Sequence, residues 1–299
     1  MPFHTIKLND GTEIPEIFFG TWKVPKQVCT SEVDQAVDIG FDGIDTAQVY
    51  GNEEEVGNAI KQLGLPRKDL YITTKWSGVD GKGAKQSCEE SLEKMGISYI
   101  DLYLIHHPRL SGNDIPGSWK EMEALQKEGK VKSIGVSNFN IVQLGEILAT
   151  CTIKPVVNQI LLHPYVIATT TPLLEYMKTQ NIVPEGYSTL IPLTSRPGGP
   201  VDEPVNAIAK RLGAKPEQIL LAWSKAKGAI IVTTSSKKQR LEGYLDVGDI
   251  DLTDEDVAAI DKAGTEGQLF AQRSKLAVKI GRFMLGAGLT GYILYRFFC

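Results

Sequence analysis

The segment Gly43-Ile44-Asp45-Thr46-Ala47-Gln48-Val49-Tyr50-Gly51-Asn52-Glu53-Glu54-Glu55-Val56 reads as a short strand, a polar turn and the start of a helix. Gly43–Ala47 is the strand and Asn52–Leu63 the helix, whose acidic first turn suits the positive end of a helix dipole. Working outward, the same unit recurs. Phe18–Trp22, Leu70–Lys75, Ile100–His106, Val131–Ser137, Val156–Leu162, Ile182–Ser188 and Ala229–Thr234 bring the β-branched or apolar runs to eight. Helical stretches fall between them, among them Ser118–Glu128, Ile141–Ala149, Thr171–Thr179, Pro204–Leu212 and Pro216–Ala226. Ahead of all this, Thr5–Leu8 turns at Asp10-Gly11 and returns, which predicts a hairpin. Strand–helix alternation without a composition break predicts an α/β chain folded as a (β/α)8 TIM barrel over residues 1–270, followed by a separate tail, 271–299. An open doubly wound sheet would need a glycine-rich loop after an early strand, and the only GxGxxG match, Gly286–Gly291, lies in the tail with no strand before it.

Composition narrows the function classes. A chain of 299 residues with 42% hydrophobic and 23% charged residues can bury a large core without staples. Cys29, Cys88, Cys151 and Cys299 are scattered and form no CxxC pair, which fits a reducing compartment such as the cytoplasm. The four histidines have no metal-ligand spacing, so no metal is expected. The N-terminus is polar and does not read as a signal peptide. Residues 271–299 carry five basic side chains and no acidic one, leaving a body with 27 basic against 36 acidic residues. An acidic body argues against nucleic acid as a partner.

In a β/α barrel, reactive groups gather at the C-terminal ends of the strands. Those ends carry Asp45 and Tyr50, Lys75, His106, Ser137-Asn138, Gln159, Tyr187-Ser188, and Ser235 through Arg240. The set suits proton-coupled hydride transfer. Reducing a carbonyl leaves negative charge on oxygen, so a donor must supply a proton there. A tyrosine near its ordinary pKa of about 10 is a weak acid unless its phenolate is stabilised. An ammonium at Lys75 would stabilise it, Asp45 would hold Lys75 charged, and a neutral His106 could donate to the substrate oxygen. Tyr71 and Lys75 also fit a YxxxK pattern, but that pattern needs a helix to bring both side chains to one face, and here the spacer is β-branched. Trp76, Trp119, Trp223 and His163 read as structural.

Gly43–Glu53, Thr73-Thr74-Lys75, Asp101–His106, Gly135-Val136-Ser137-Asn138-Phe139 and Val157-Asn158-Gln159 together resemble the aldo-keto reductase superfamily, in order from about residue 5 to about residue 265. The resemblance implies an NADPH-dependent reductase of aldehydes or ketones, α-dicarbonyls and keto-lactones among them, with a tetrad of Asp45, Tyr50, Lys75 and His106. It implies nicotinamide contacts from Ser137, Asn138 and Gln159, stacking by Tyr187, and further cofactor contacts from Ser188, Ser235, Arg240 and the first loop, Thr21-Trp22. Trp22 and His107 would line the substrate pocket. The family often has Ile-Pro-Lys-Ser after strand eight; here Val232-Thr233-Thr234-Ser235-Ser236 resembles a fungal ketone-reductase variant, with Thr234 in place of the lysine and Arg240 kept. Superfamily relatives that act as channel subunits make an NADPH-binding, redox-sensing subunit the alternative, and a metal-dependent barrel isomerase or hydrolase is the other rival.

The tail is not explained by that resemblance. Phe283–Tyr295 is uncharged but, as a helix, only about 20 Å long. Residues 277–298 make a marginal span if Lys279, Arg282 and Arg296 snorkel. Membrane association through 277–298, a helix packed on the barrel, and a disordered end all stay open.

Overall fold

The structure is a computed structural model that describes residues 3–269. β1 (Thr5–Lys7) and β2 (Glu13–Pro15) form the antiparallel hairpin. Eight parallel strands then close on themselves: β3 (Ile17–Gly20), β4 (Gly43–Asp45), β5 (Tyr71–Trp76), β6 (Ile100–Ile105), β7 (Val131–Ser137), β8 (Val157–Leu161), β9 (Val183–Tyr187) and β10 (Ile230–Thr233), with β10 paired back to β3. The connecting helices are α1 (Lys26–Asp38), α2 (Glu53–Leu63), α3 (Ala84–Met95), α4 (Ile115–Lys127), α5 (Ile141–Leu148) and α6 (Ile167–Gln180). After them come the short α7 (Ile191–Thr194), then α8 (Asp202–Leu212), α9 (Pro216–Ala226) and α10 (Lys238–Leu245). Residues 254–269 are also helical. This is the (β/α)8 barrel with an N-terminal hairpin that the sequence predicts. The tail, with its hydrophobic stretch, lies outside the described residues. Among the described residues no helix is long and apolar enough to cross a membrane.

Departures from the sequence reading have local causes. The strand at Gly43–Ala47 ends at Asp45, because the chain leaves the ladder to wind a 3-10 turn at Gln48–Tyr50. α4 starts at Ile115 rather than Ser118, capped by the Asp114 carboxylate, which accepts from the Gly117 N–H at 2.7 Å. α6 starts at Ile167, four residues before the reading, and within it Thr170 and Thr171 bond back to the carbonyls of Val166 and Ile167. α1 and α3 are helices the periodicity reading does not name.

Burial is split by the barrel wall. Inside, Phe18, Leu102, Leu104, Val157 and Ile230 pack on Leu8 and Ile14 of the hairpin, which closes the N-terminal end. Room for the larger of these comes from glycine. A Cβ on Gly43 would lie 2.8 Å from the Phe18 ring, and one on Gly135 would lie 2.8 Å from Leu104. Outside, apolar faces of strands and helices form a larger layer holding Phe19, Phe41, Trp119 and Trp223. With the apolar floor packed, the larger cavity opens at the upper ends of the strands.

Candidate active site

At that open end a cavity of about 890 Å³ is lined by Trp22, Asp45, Tyr50, His106, Tyr187 and Arg240, among others. Asp45 ends β4 and Lys75 is the penultimate residue of β5, both pointing into the barrel under the cavity. Lys75 is fully buried. Its ammonium donates to both Asp45 oxygens, at 2.6 and 2.8 Å, and to the Thr46 carbonyl at 2.8 Å. The Tyr50 hydroxyl lies 3.5 Å from the same nitrogen. Three protons are thus aimed at three near acceptors, with the phenol as a fourth, more distant neighbour. Burial of Lys75 weighs against its charge, but Asp45 and Tyr50 outweigh it and its pKa is raised. Gln159, 114 residues from Asp45 in sequence, steadies the carboxylate with a 2.7 Å bond from its amide.

Tyr50 is held by its loop. Gly51 has φ 73°, and Asn52 donates to the Thr21 and Val24 carbonyls at 2.9 and 3.1 Å. Burial pushes the phenol up and the Lys75 charge pulls it down; the net direction is up. Desolvation, which a reading of Lys75 alone leaves out, is thus the larger effect on this phenol. His106 follows β6 and stands edge-on to Tyr50, ring centroids 5.7 Å apart. Burial, then the Lys75 charge, hold its imidazole down at about 3, so it is neutral at physiological pH. Its Nδ1 lies 2.8 Å from Ser77 Oγ, a partner the sequence reading missed.

Asn138 sits at φ 64°, a left-handed conformation that asparagine tolerates, and this turns its amide across the strand ends. It donates to the His106 carbonyl and to Ser137 Oγ, and accepts from the Tyr187 hydroxyl at 2.8 Å. Ser137 in turn donates to the Gln159 carbonyl. These four predicted nicotinamide contacts therefore form one connected network on the cavity wall. Ser188, Ser235, Arg240, Trp22 and His107 also line the cavity. Thr21 does not: it is fully buried and its hydroxyl donates to Thr46 Oγ1 at 2.9 Å, so it braces the loop carrying Tyr50. His163 is buried beneath the surface, its imidazole held down at about 4 by burial and Arg196. Tyr71 and Lys75 share the strand β5, not a helix. Among the described residues no group of three or more His, Cys, Asp or Glu side chains could hold a metal ion.

The cavity also suits a dinucleotide phosphate. Arg240, in the first turn of α10, lines that cavity together with Ser235 and Ser236, a guanidinium and two hydroxyls of the kind a phosphate needs. A closed β/α barrel thus gathers a buried ion pair, a phenol and a neutral imidazole at the C-terminal ends of its strands, where barrel enzymes carry their active sites.

Comparison with known proteins agrees. The profile described as Aldo/keto reductase family matches residues 16–265. The chain is 44% identical over 239 residues to the NAD/NADP-dependent indole-3-acetaldehyde reductase of Schizosaccharomyces pombe, covering 79% of this chain and 82% of that one. It is 37% identical to the glyoxal reductase of Bacillus subtilis, covering 86% and 91%. The crystal structure of a Bombyx mori aldo-keto reductase in complex with NADP superposes with a TM-score of 0.80 at 33% identity, covering 87% of this chain and 92% of that one. The chain belongs to the aldo/keto reductase family, and it is an oxidoreductase.

Proposed function

We propose that this enzyme reduces an aldehyde or ketone to the alcohol, with NADPH as the reductant and Tyr50 as the proton donor. The observation that carries the reading is the buried Asp45–Lys75 pair placed 3.5 Å from the Tyr50 hydroxyl. NADPH, when bound, supplies the hydride; Ser137, Asn138, Gln159 and Tyr187 would hold its nicotinamide, and Ser235 and Arg240 its phosphates. Ser188 and Trp22 border the same space. The relatives' names support a nicotinamide coenzyme and aldehyde substrates, indole-3-acetaldehyde and glyoxal among them.

His106, neutral, offers an N–H to the carbonyl oxygen and fixes its orientation. Tyr50 keeps its proton until charge gathers on that oxygen, because burial disfavours an early phenolate. The alkoxide is far more basic than a phenolate, so the proton moves to it, and Lys75 turns toward the phenolate that remains. Asp45, itself steadied by the Gln159 amide, stays bonded to Lys75 throughout. Trp22, half exposed, and His107 form the wall against the substituents of the carbonyl.

Tyr50→Phe tests this. We expect kcat for aldehydes, glyoxals and keto-lactones to drop by roughly 10²-fold or more, with NADPH affinity and folding retained. Undiminished alcohol formation by that variant would refute the reading.

A further inference from the structure

Beneath the tetrad lies a second carboxyl that the mechanism leaves unused. Glu185 is on β9, two residues before Tyr187, so both side chains face the barrel interior. The register sets it beside Gln159 of β8 and Ile230 of β10. It is fully buried, and among the described residues neither of its oxygens has a hydrogen-bond partner. The donors nearest to it are turned largely toward Asp45, with at most one N–H of Gln159 left over. The Gln159 amide and the Lys75 ammonium are both aimed at Asp45. The groups of opposite or like charge around it are Asp45 on β4 and Lys75 on β5. Tyr71, also on β5, is near enough to feel it, and burial keeps that phenol protonated.

A buried carboxyl with no hydrogen bond in place and another carboxylate for company favours its protonated form. We propose that Glu185 is a positioning residue of the reduction: held as a neutral acid under the Asp45–Lys75 pair, it leaves the ammonium charge undivided between Asp45 and the Tyr50 oxygen. The proposal rests on Tyr50 being the proton donor. With Glu185 neutral, the buried Asp45–Lys75 pair has no net charge, and loss of the Tyr50 proton makes the cluster singly negative. With Glu185 ionised, the same step would make it doubly negative around one cation. Ionisation of Glu185 therefore opposes phenolate formation and slows reduction. Burial first, then the Asp45 charge, push this carboxyl up to about 8, against the pull of Lys75 and Gln159, so the switch falls just above neutral pH.

Glu185→Gln keeps the shape and removes the titration. An acid with pKa about 8 is only about a tenth protonated near pH 9, so kcat/KM of E185Q should exceed that of the wild type roughly tenfold there. The ultraviolet tyrosinate signal assigned to Tyr50 by subtraction of Y50F should appear at lower pH in E185Q than with Glu185 present. A merely structural role would move neither. In the wild-type protein, the infrared carbonyl stretch of a buried carboxylic acid should be present at neutral pH and fade through about pH 8. That band decides the matter even if E185Q does not fold, and its absence at neutral pH overturns the proposal. Profiles and tyrosinate titrations that superimpose in wild type and E185Q also overturn it, provided Y50F is inactive. An active Y50F would instead remove the proton-donor reading.

Discussion

His106 can offer a proton to a carbonyl oxygen only if that proton sits on Nε2, and Ser77 governs which nitrogen carries it. The single hydroxyl proton of Ser77 faces two acceptors, His106 Nδ1 at 2.8 Å and the Lys75 carbonyl at 3.3 Å. Given to Nδ1, it leaves the imidazole proton on Nε2, toward the cavity. A hydrogen bond contributing about 1 kcal/mol corresponds to roughly fivefold in rate. We therefore expect Ser77→Ala to lower kcat/KM about fivefold while NADPH affinity, followed by quenching of tryptophan fluorescence, is unchanged. The Asp45–Lys75 pair makes a different prediction, because both partners are buried. Asp45→Ala strands an ammonium in the barrel and should cost about 3–5 kcal/mol in urea denaturation. The double variant with Lys75→Met should lose less, since no charge is left without a partner.

At the scale of elements, helix packing sets equally sharp limits. A Cβ on Gly57 in α2 would lie 2.4 Å from the Met95 carbonyl at the end of α3, backbone against side chain with no flexible group to yield. Gly57→Ala should destabilise the fold by about 1–3 kcal/mol in thermal denaturation and leave NADPH affinity of the folded fraction intact. The strands and their inward-pointing ends were legible in the sequence because alternation and β-branched runs carry them, which is why Asp45, Lys75 and His106 could be found together. Ser77 was not, since it lies one residue beyond β5 in a loop whose path only the fold defines. Glu185 escaped for another reason: a charge in mid-strand reads as the solvent face, whereas in a closed barrel the alternate face is the interior. For Thr21, which the resemblance assigns to the cofactor, the fold adds a bracing role through its bonds to Thr46 and Asn52.

Across the whole molecule, the half-buried His106 and the buried His163 couple folding to acidity. His106 is held at about 3 and His163 at about 4, both below the ordinary 6.5. The unfolded chain therefore binds more protons than the folded one below pH 6.5, so stability declines as pH falls from there toward those values. Each histidine should remove about 2 kcal/mol by pH 5, read as a lower urea midpoint, and His163→Asn should recover its share with little effect on the chemistry.

The hairpin seal under the barrel has a consequence for the order of events in turnover. With Leu8 and Ile14 plugging one end, the reaction chamber is a cul-de-sac, and whatever occupies its deepest part has to arrive first and depart last. Ser137, Asn138 and Gln159, the proposed nicotinamide contacts, are more buried than Trp22, so coenzyme should enter before carbonyl and leave after alcohol. Product-inhibition patterns should then show NADP+ competing with NADPH, and the alcohol failing to do so.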